Sequence, residues 1–140
     1  MPIGPGLSTY LLSKSAITTI VGQRIYPLRP PQGSSNYPCV TYQTISSRST
    51  YSHGGDNQLR FERVQINCFG RTVKSAKDLA ESVRLAMSGY AGVMGSTTVQ
   101  SCFLDNERDV SYDSPDTASQ DLFCTQVDYM IAYTEAAPTL

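Results

Sequence analysis

Residues 59–69 alternate, with Val64, Ile66 and Cys68 on one side and Arg63, Gln65 and Asn67 on the other. Period two with a single apolar side predicts a strand in a sheet that is wet on one face. The closing segment 121–134 repeats the pattern. Phe123, Val127, Tyr129, Ile131 and Tyr133 share one side, and Cys124, Gln126, Asp128 and Met130 share the other. Val40, Tyr42 and Ile45 mark a strand over 38–47, and residues 97–104 mark another that continues over 109–112 past a bulge. Arg24-Ile25-Tyr26 predicts a short strand ended by Pro27.

Between these segments the period changes. From Thr72 to Ser88, the residues Val73, Ala76, Leu79, Ala80, Val83, Ala86 and Met87 form one stripe at helical spacing. Thr72 is placed to cap its start and Gly89 to end it. Lys74 with Asp78, and Lys77 with Glu81, sit four residues apart on the outer side, where opposite charges attract. Leu7, Leu11, Leu12, Ile17, Ile20 and Val21 predict a helix over 5–21, broken near Ser13–Ser15 and stopped by Gly22.

Three connections separate the elements. Pro27–Pro38 reads as an extended loop, 46–58 as a polar connection with a turn at Gly54-Gly55, and Asp113–Gln120 as a solvated turn. The predicted fold is α+β: a mainly antiparallel sheet of four to five strands, with one N-terminal helix and one central helix packed on one face. A chain of 140 residues suits one domain, here 1–140 with an ordered core of about 5–134 and a frayed tail from Glu135.

Composition narrows the function classes. No run of about 18 apolar residues exists, so no membrane partner is expected. Met1-Pro2-Ile3-Gly4-Pro5 lacks a cationic segment leading into an apolar block, so the chain is read as kept in a cytosol. Cys39, Cys68, Cys102 and Cys124 show no C-x-x-C and no zinc-type pairing, and each lies in an expected strand, so buried reduced thiols are expected. No cofactor or metal is expected. His53 beside Gly54-Gly55 has no partner at a helical or strand spacing and reads as a surface histidine. No nucleophile elbow, P-loop or glycine-rich dinucleotide motif is present, so the chain reads as no enzyme.

Charge is unevenly distributed. Residues 1–77 hold nine Lys/Arg against Asp56 and Glu62, whereas residues 78–140 hold Arg84 and Arg108 against ten acids. Folding could interleave the halves and cancel the asymmetry. Alternatively, a dipolar subunit could set its basic side against a neighbour's acidic side, as head-to-tail rings require. A phosphate-binding groove needs clustered cations, and these are dispersed, so no sequence-specific nucleic-acid partner is expected.

The acidic side peaks in Cys102-Phe-Leu-Asp-Asn-Glu-Arg-Asp-Val-Ser-Tyr-Asp113. On an evenly extended chain Asp105, Glu107 and Asp109 would share a face, which could hold a hard cation. The glycine and spacing of a calcium loop are missing, and Arg108 is a poor neighbour for a cation. A contact surface is the preferred reading: Asp105, Asn106, Glu107, Arg108 and Asp109 meeting Arg48, Arg60 and Arg63, partly from the next subunit.

Six motifs in order carry a family likeness. They are Arg24-Ile-Tyr-Pro27 after an N-terminal helix, Pro38-Cys-Val-Thr-Tyr-Gln43, Val64-Gln-Ile-Asn-Cys-Phe69, the helix Ala76–Arg84, Leu104-Asp-Asn-Glu-Arg-Asp109 and Val127-Asp-Tyr129. Together they resemble the tail-completion family of long-tailed bacteriophages, also called tail terminators or tail-to-head joining proteins. The resemblance covers about residues 5–134.

It implies a structural protein of the virion, assembled in the host cytoplasm, that forms a hexameric ring on the finished tail tube. The ring stops tube polymerisation, faces a head connector or stopper protein, and leaves a passage open to DNA. It implies no catalytic residues. Alternatives are a head-closure or stopper ring of the neck, a small nucleic-acid-binding regulator using the basic half, and a hydrolase built on a reactive Cys or His53.

Overall fold

The computed structural model describes residues 3–30, 37–52, 55–113 and 121–134. His53, Gly54, the segment 114–120 and the tail from Glu135 lie outside the described residues, as does the middle of the Pro27–Pro38 loop, 31–36. The elements run α1 (Gly4–Leu12), α2 (Ser15–Val21), β1 (Ile25–Pro27), β2 (Cys39–Ser52), β3 (Gly55–Gly70), α3 (Val73–Met87), β4 (Gly92–Met94), β5 (Thr97–Asp113) and β6 (Asp121–Thr134).

The helix over 5–21 is indeed broken near Ser13–Ser15, which makes two helices. Pro5 stands in the first turn of α1, where a missing N–H costs nothing. Gly22, at φ +62°, ends α2 in a conformation that disfavours a side chain. In α3 the Thr72 hydroxyl accepts from the Ser75 amide at 3.0 Å, as expected of a cap. Ala76, Leu79, Ala80, Val83 and Met87 form its buried stripe, while Val73 at the first turn is left exposed.

The strands form one sheet in the order β1-β2-β3-β6-β5-β4. The prediction of four to five strands is therefore short. The short strand expected at Arg24–Tyr26 is present as β1, one residue further on so that Pro27 is included, and the unexpected member is β4, a three-residue piece. β1 runs parallel to β2, pairing Ile25 with Val40, so the sheet is mixed. The polar connection at 46–58 is mostly strand: β2 runs through Ser52 and β3 starts at Gly55, paired across Ser52–Gly55. Ser and Thr on one arm and Gly, Asp and Asn on the other hid this hairpin, because the sequence there shows no apolar alternation.

All three helices share one core with one face of the sheet. Leu7, Leu11, Ile17 and Val21 from α1 and α2, and Leu79, Ala80 and Val83 from α3, pack with Val64, Ile66, Val127, Tyr129 and Ile131. Gly6 is required by close approach, because a Cβ there would collide with the Met94 carbonyl of β4. Glu62 also lies on this covered face. It is buried and accepts from the Tyr133 hydroxyl at 2.7 Å and from the Thr44 hydroxyl at 2.5 Å.

The opposite face carries no helix among the described residues, yet it is not simply wet. Thr41, Gln65, Asn67 and Asp128 are all buried. Paired rows of polar side chains cover one another: Asn67 donates to Thr41 at 3.1 Å and Gln43 to Gln65 at 3.2 Å. Burial of such groups is tolerated when they bond each other.

The four cysteines are buried and free. Register explains why Cys39, Cys68 and Cys124 do not pair. Cys39 and Cys124 both flank Phe69, one strand away on either side. Two strand spacings are about 9–10 Å, beyond the ~7 Å that a disulfide spans. Cys68 points to the other face. Burial pushes the thiols of Cys39, Cys102 and Cys124 up to about 12, and that of Cys68 well above its ordinary value.

Candidate assembly interface

The acidic stretch lies on β5, whose inner side pairs with β6 along almost its whole length. On the outer side, β4 pairs only with Thr97, Thr98 and Val99. The Cys102 carbonyl accepts from the Gly89 amide at 2.8 Å. Beyond that point, among the described residues, no strand pairs with the outer side of β5. The acids therefore stand on a sheet edge fixed by β6, not on a loop.

The register between β5 and β6 shifts between Leu104 and Asn106, so Asp105 is the extra residue of a bulge. Leu104 pairs with Tyr129 on the covered face, and Asn106 pairs with Asp128 on the open face. Asp105 reaches the open face and ion-pairs with Arg63. Glu107 and Asp109, opposite Val127 and Thr125, fall on the covered face beside α3. The expectation that Asp105, Glu107 and Asp109 share one face is thus corrected. One inserted residue moves the first acid to the other side of the sheet. Among the described residues, no group of three or more His, Cys, Asp or Glu is placed to hold a metal ion.

On the open face Asp128 is a hub. One of its oxygens receives Arg63 at 3.2 Å and Arg108 at 3.6 Å. Arg108 also donates to Gln126 at 2.8 Å. Arg63 thus meets Asp105 and Asp128 within its own subunit. Arg48 and Arg60 do not join them. Arg48 lies over the Phe61 ring, 5.3 Å from its centre, and Arg60 donates to Ser47 at 2.8 Å, both on the β2–β3 hairpin.

On the covered side Lys77 of α3 reaches Asp109 at 3.0 Å, and the Thr125 hydroxyl donates to the same carboxylate at 3.1 Å. The hydrogen bond from Lys77, followed by that from Thr125, holds the Asp109 carboxyl below its ordinary value, and Lys77 is raised in return. The expected Lys77–Glu81 pair is therefore replaced, and Glu81 instead pairs with Arg84, three residues on. The Lys74–Asp78 pair forms as expected, at 2.9 Å. Glu107, exposed between these pairs, has no ion pair among the described residues.

Sequence reasoning missed Asp128 and Lys77. Strand alternation did place Asp128 on the face of Gln126, but only the β3–β6 register puts it beside Arg63. His53 lies outside the described residues. The arrangement offers paired charges, an exposed Phe103 and an open strand edge, with no nucleophile–base pair among them.

The profile of a family described as "Tail completion protein gp17" matches residues 6–134. The chain belongs to this family. It is a structural protein of the phage virion, located in the tail, and not an enzyme. The fold is similar to a chain in the solved structure "Virion of native gene transfer agent (GTA) particle", with a TM-score of 0.69 and 14% identity, covering 92% of each chain. No curated protein matches the sequence.

Proposed function

We propose that this tail-completion protein forms a closed ring that caps the tail tube, stops its polymerisation and presents the surface to which a head connector joins. Its partners are further copies of itself in a hexamer, the tube protein and a connector or stopper protein, with DNA passing through the ring. The chain acts as a single domain over 1–140.

The observation that carries this reading is the acidic outer edge of β5, in a chain whose family match spans residues 6–134. Glu107 on that edge forms no ion pair among the described residues, although Lys77 and Arg84 lie near enough to feel its charge, and Arg48 on the far side of the sheet forms no ion pair among them. Dissimilar sides with complementary charge suit head-to-tail joining, in which each copy meets the next through different surfaces. The contact set drawn from the sequence, Asp105, Asn106, Glu107, Arg108 and Asp109 against Arg48, Arg60 and Arg63, narrows accordingly. Arg63, Asp105 and Asp109 find partners inside the subunit, which leaves Glu107 and Arg48 as the charges a neighbour would meet.

Two measurements test this. Mass in solution across a concentration series, alone and with purified tail tubes, should show a closed oligomer. Particles assembled without the protein should carry overlong or unjoined tails. Heads that leak DNA beside normal tails would instead mark a stopper of the neck and overturn the capping role.

A further inference from the structure

Resting on the ring reading, a specific contact follows from a residue that the fold of one subunit does not explain. Leu28, just after β1, stands at φ +67°. A bulky side chain rarely adopts this left-handed region, which glycine occupies freely. Its amide donates to the Tyr42 carbonyl at 2.9 Å, so the conformation is held in place. Yet the side chain is 67% exposed and gains no burial inside the subunit. Backbone strain of this kind clusters at ligand clamps and other functional sites. Arg29 beside it is exposed and forms no ion pair among the described residues.

A groove of about 220 Å³ opens between the first turn of α3 and the β5–β6 hairpin. Val73, Ala76, Val110, Phe123 and Cys124 give it an apolar lining, and Asp109 adds an acid. A cavity of about 150 Å³ takes a benzene-sized group, so a leucine side chain has room here. Beyond the groove, Asp113 of β5 and Asp121 of β6 occupy directly opposite register positions. Like charges so placed repel, and a cation arriving beside them relieves the repulsion.

We infer that Leu28 of one copy seats in this groove of the next copy, with Arg29 beside Asp113 and Asp121.

Charge selects this groove. The segment 3–30 carries Lys14, Arg24 and Arg29, and no acid precedes Asp56 in the chain. The groove between Tyr10 and Leu85 has Lys14 in its wall, and that between Phe61 and Met130 has Arg48 and Arg63. All three have the sign of Arg29. The groove beside Ile20 holds Lys74, already paired with Asp78. The α3 groove joins an apolar lining to acids, which suits an apolar residue followed by a cation.

Height across the sheet agrees. Tyr42, which holds Leu28, is level with Ile66, Val127 and Glu107. Asp109 and Thr125, both in the groove, lie two residues further along, about 7 Å. β1 stands at one edge of the sheet and β5 next to the other. Copies set side by side in one orientation therefore bring the two surfaces together with little offset along the strands. The contact joins two different surfaces, as a ring of identical subunits needs.

Two measurements on the full chain, assembled with purified tail tubes, test this. In the first, copies carrying Leu28→Cys are mixed with copies carrying Val73→Cys and oxidised. Each copy has one added thiol, so a link between the two kinds is necessarily intermolecular. The native thiols are buried and react slowly. The expected result is a dimer band on non-reducing gels, several-fold stronger than for Leu28→Cys mixed with Val93→Cys, a similarly exposed position on β4. In the second, Leu28→Gly should keep the subunit folded by circular dichroism. It should raise the concentration for half-assembly about tenfold or more, as expected from losing one large apolar side chain from a contact.

Equal linking at 73 and 93, no linking within rings of normal mass, linking of the Leu28→Cys copy with itself, or half-assembly of Leu28→Gly at the parent's concentration would each overturn this contact while leaving the ring standing. A single-subunit mass for the unaltered chain at every concentration, with or without tubes, would overturn the ring reading and this inference together.

Discussion

The two faces of the sheet are built from the same strands but held by different forces. On the covered face Val64, Ile66, Val127, Tyr129 and Ile131 lose contact with water against α3. Each large apolar side chain buried this way contributes about 1.5–3 kcal/mol. On the open face Thr41, Gln43, Gln65, Asn67 and Asp128 are covered mainly by one another. A hydrogen bond there nets only about 1 kcal/mol, because water offers the same bond to the unfolded chain. The covered face therefore supplies most of the stability. The open face supplies direction, since each amide or carboxylate accepts few arrangements of its neighbours.

The largest test of this contrast is Ile66→Asp. It leaves an unpaired charge in the apolar layer and should cost about 4 kcal/mol or more, enough to prevent folding in urea titrations near neutral pH. A variant that melts like the parent would mean the faces are assigned the wrong way round.

A smaller loss is expected on the open face. Asp128→Ala removes the acceptor shared by Arg63 and Arg108 and should cost about 1–3 kcal/mol by the same titration. Since Arg63 keeps Asp105, the loss should fall short of that for Ile66→Asp. A loss as large would show that the open face carries as much stability as the covered one.

The cap of α3 lies below both. Thr72→Ala frees the Ser75 amide and should cost about 1 kcal/mol, loosening the layer over Ile66 without exposing it. Hydrogen exchange should rise first in the opening turn of α3 and not along β6. A rise in β6 of the same size would couple the cap to the whole sheet.

The weakest effects belong to the β5 edge, where the faces separate. Glu107→Gln should leave folding within about 0.5 kcal/mol of the parent, as expected of an exposed side chain with no ion partner among the described residues. Asp109 differs. Its carboxyl is held below the ordinary 3.8 by Lys77 and Thr125, so it favours the fold above that value. The contribution is lost as pH falls through the lowered folded value. Asp109→Asn should therefore flatten the acid limb of a stability–pH curve, whereas Glu107→Gln should not. An unchanged acid limb in Asp109→Asn would dismiss the Lys77 contact as incidental.

Much of this was legible from local pattern. Alternation in 59–69 and 121–134 assigned the sides of β3 and β6, because a strand's side-chain period holds whatever it pairs with. The stripe from Ala76 to Met87, the cap at Thr72 and the break near Ser13–Ser15 were also visible. Each depends on residues within a turn or two of one another, and so did the Lys74–Asp78 pair.

Tertiary structure decided the rest, for reasons of register and adjacency. A bulge was expected between 104 and 109, but only pairing with β6 located it at Asp105, and that single residue divided the acids between two faces. Lys77 had a suitable acid four residues away in Glu81, yet it reaches Asp109 because α3 lies beside β5. Arg63 meets Asp128 across 65 positions of chain because β6 inserts next to β3. Local pattern fixes which way a side chain points. Only the order of strands in the sheet fixes what it meets there.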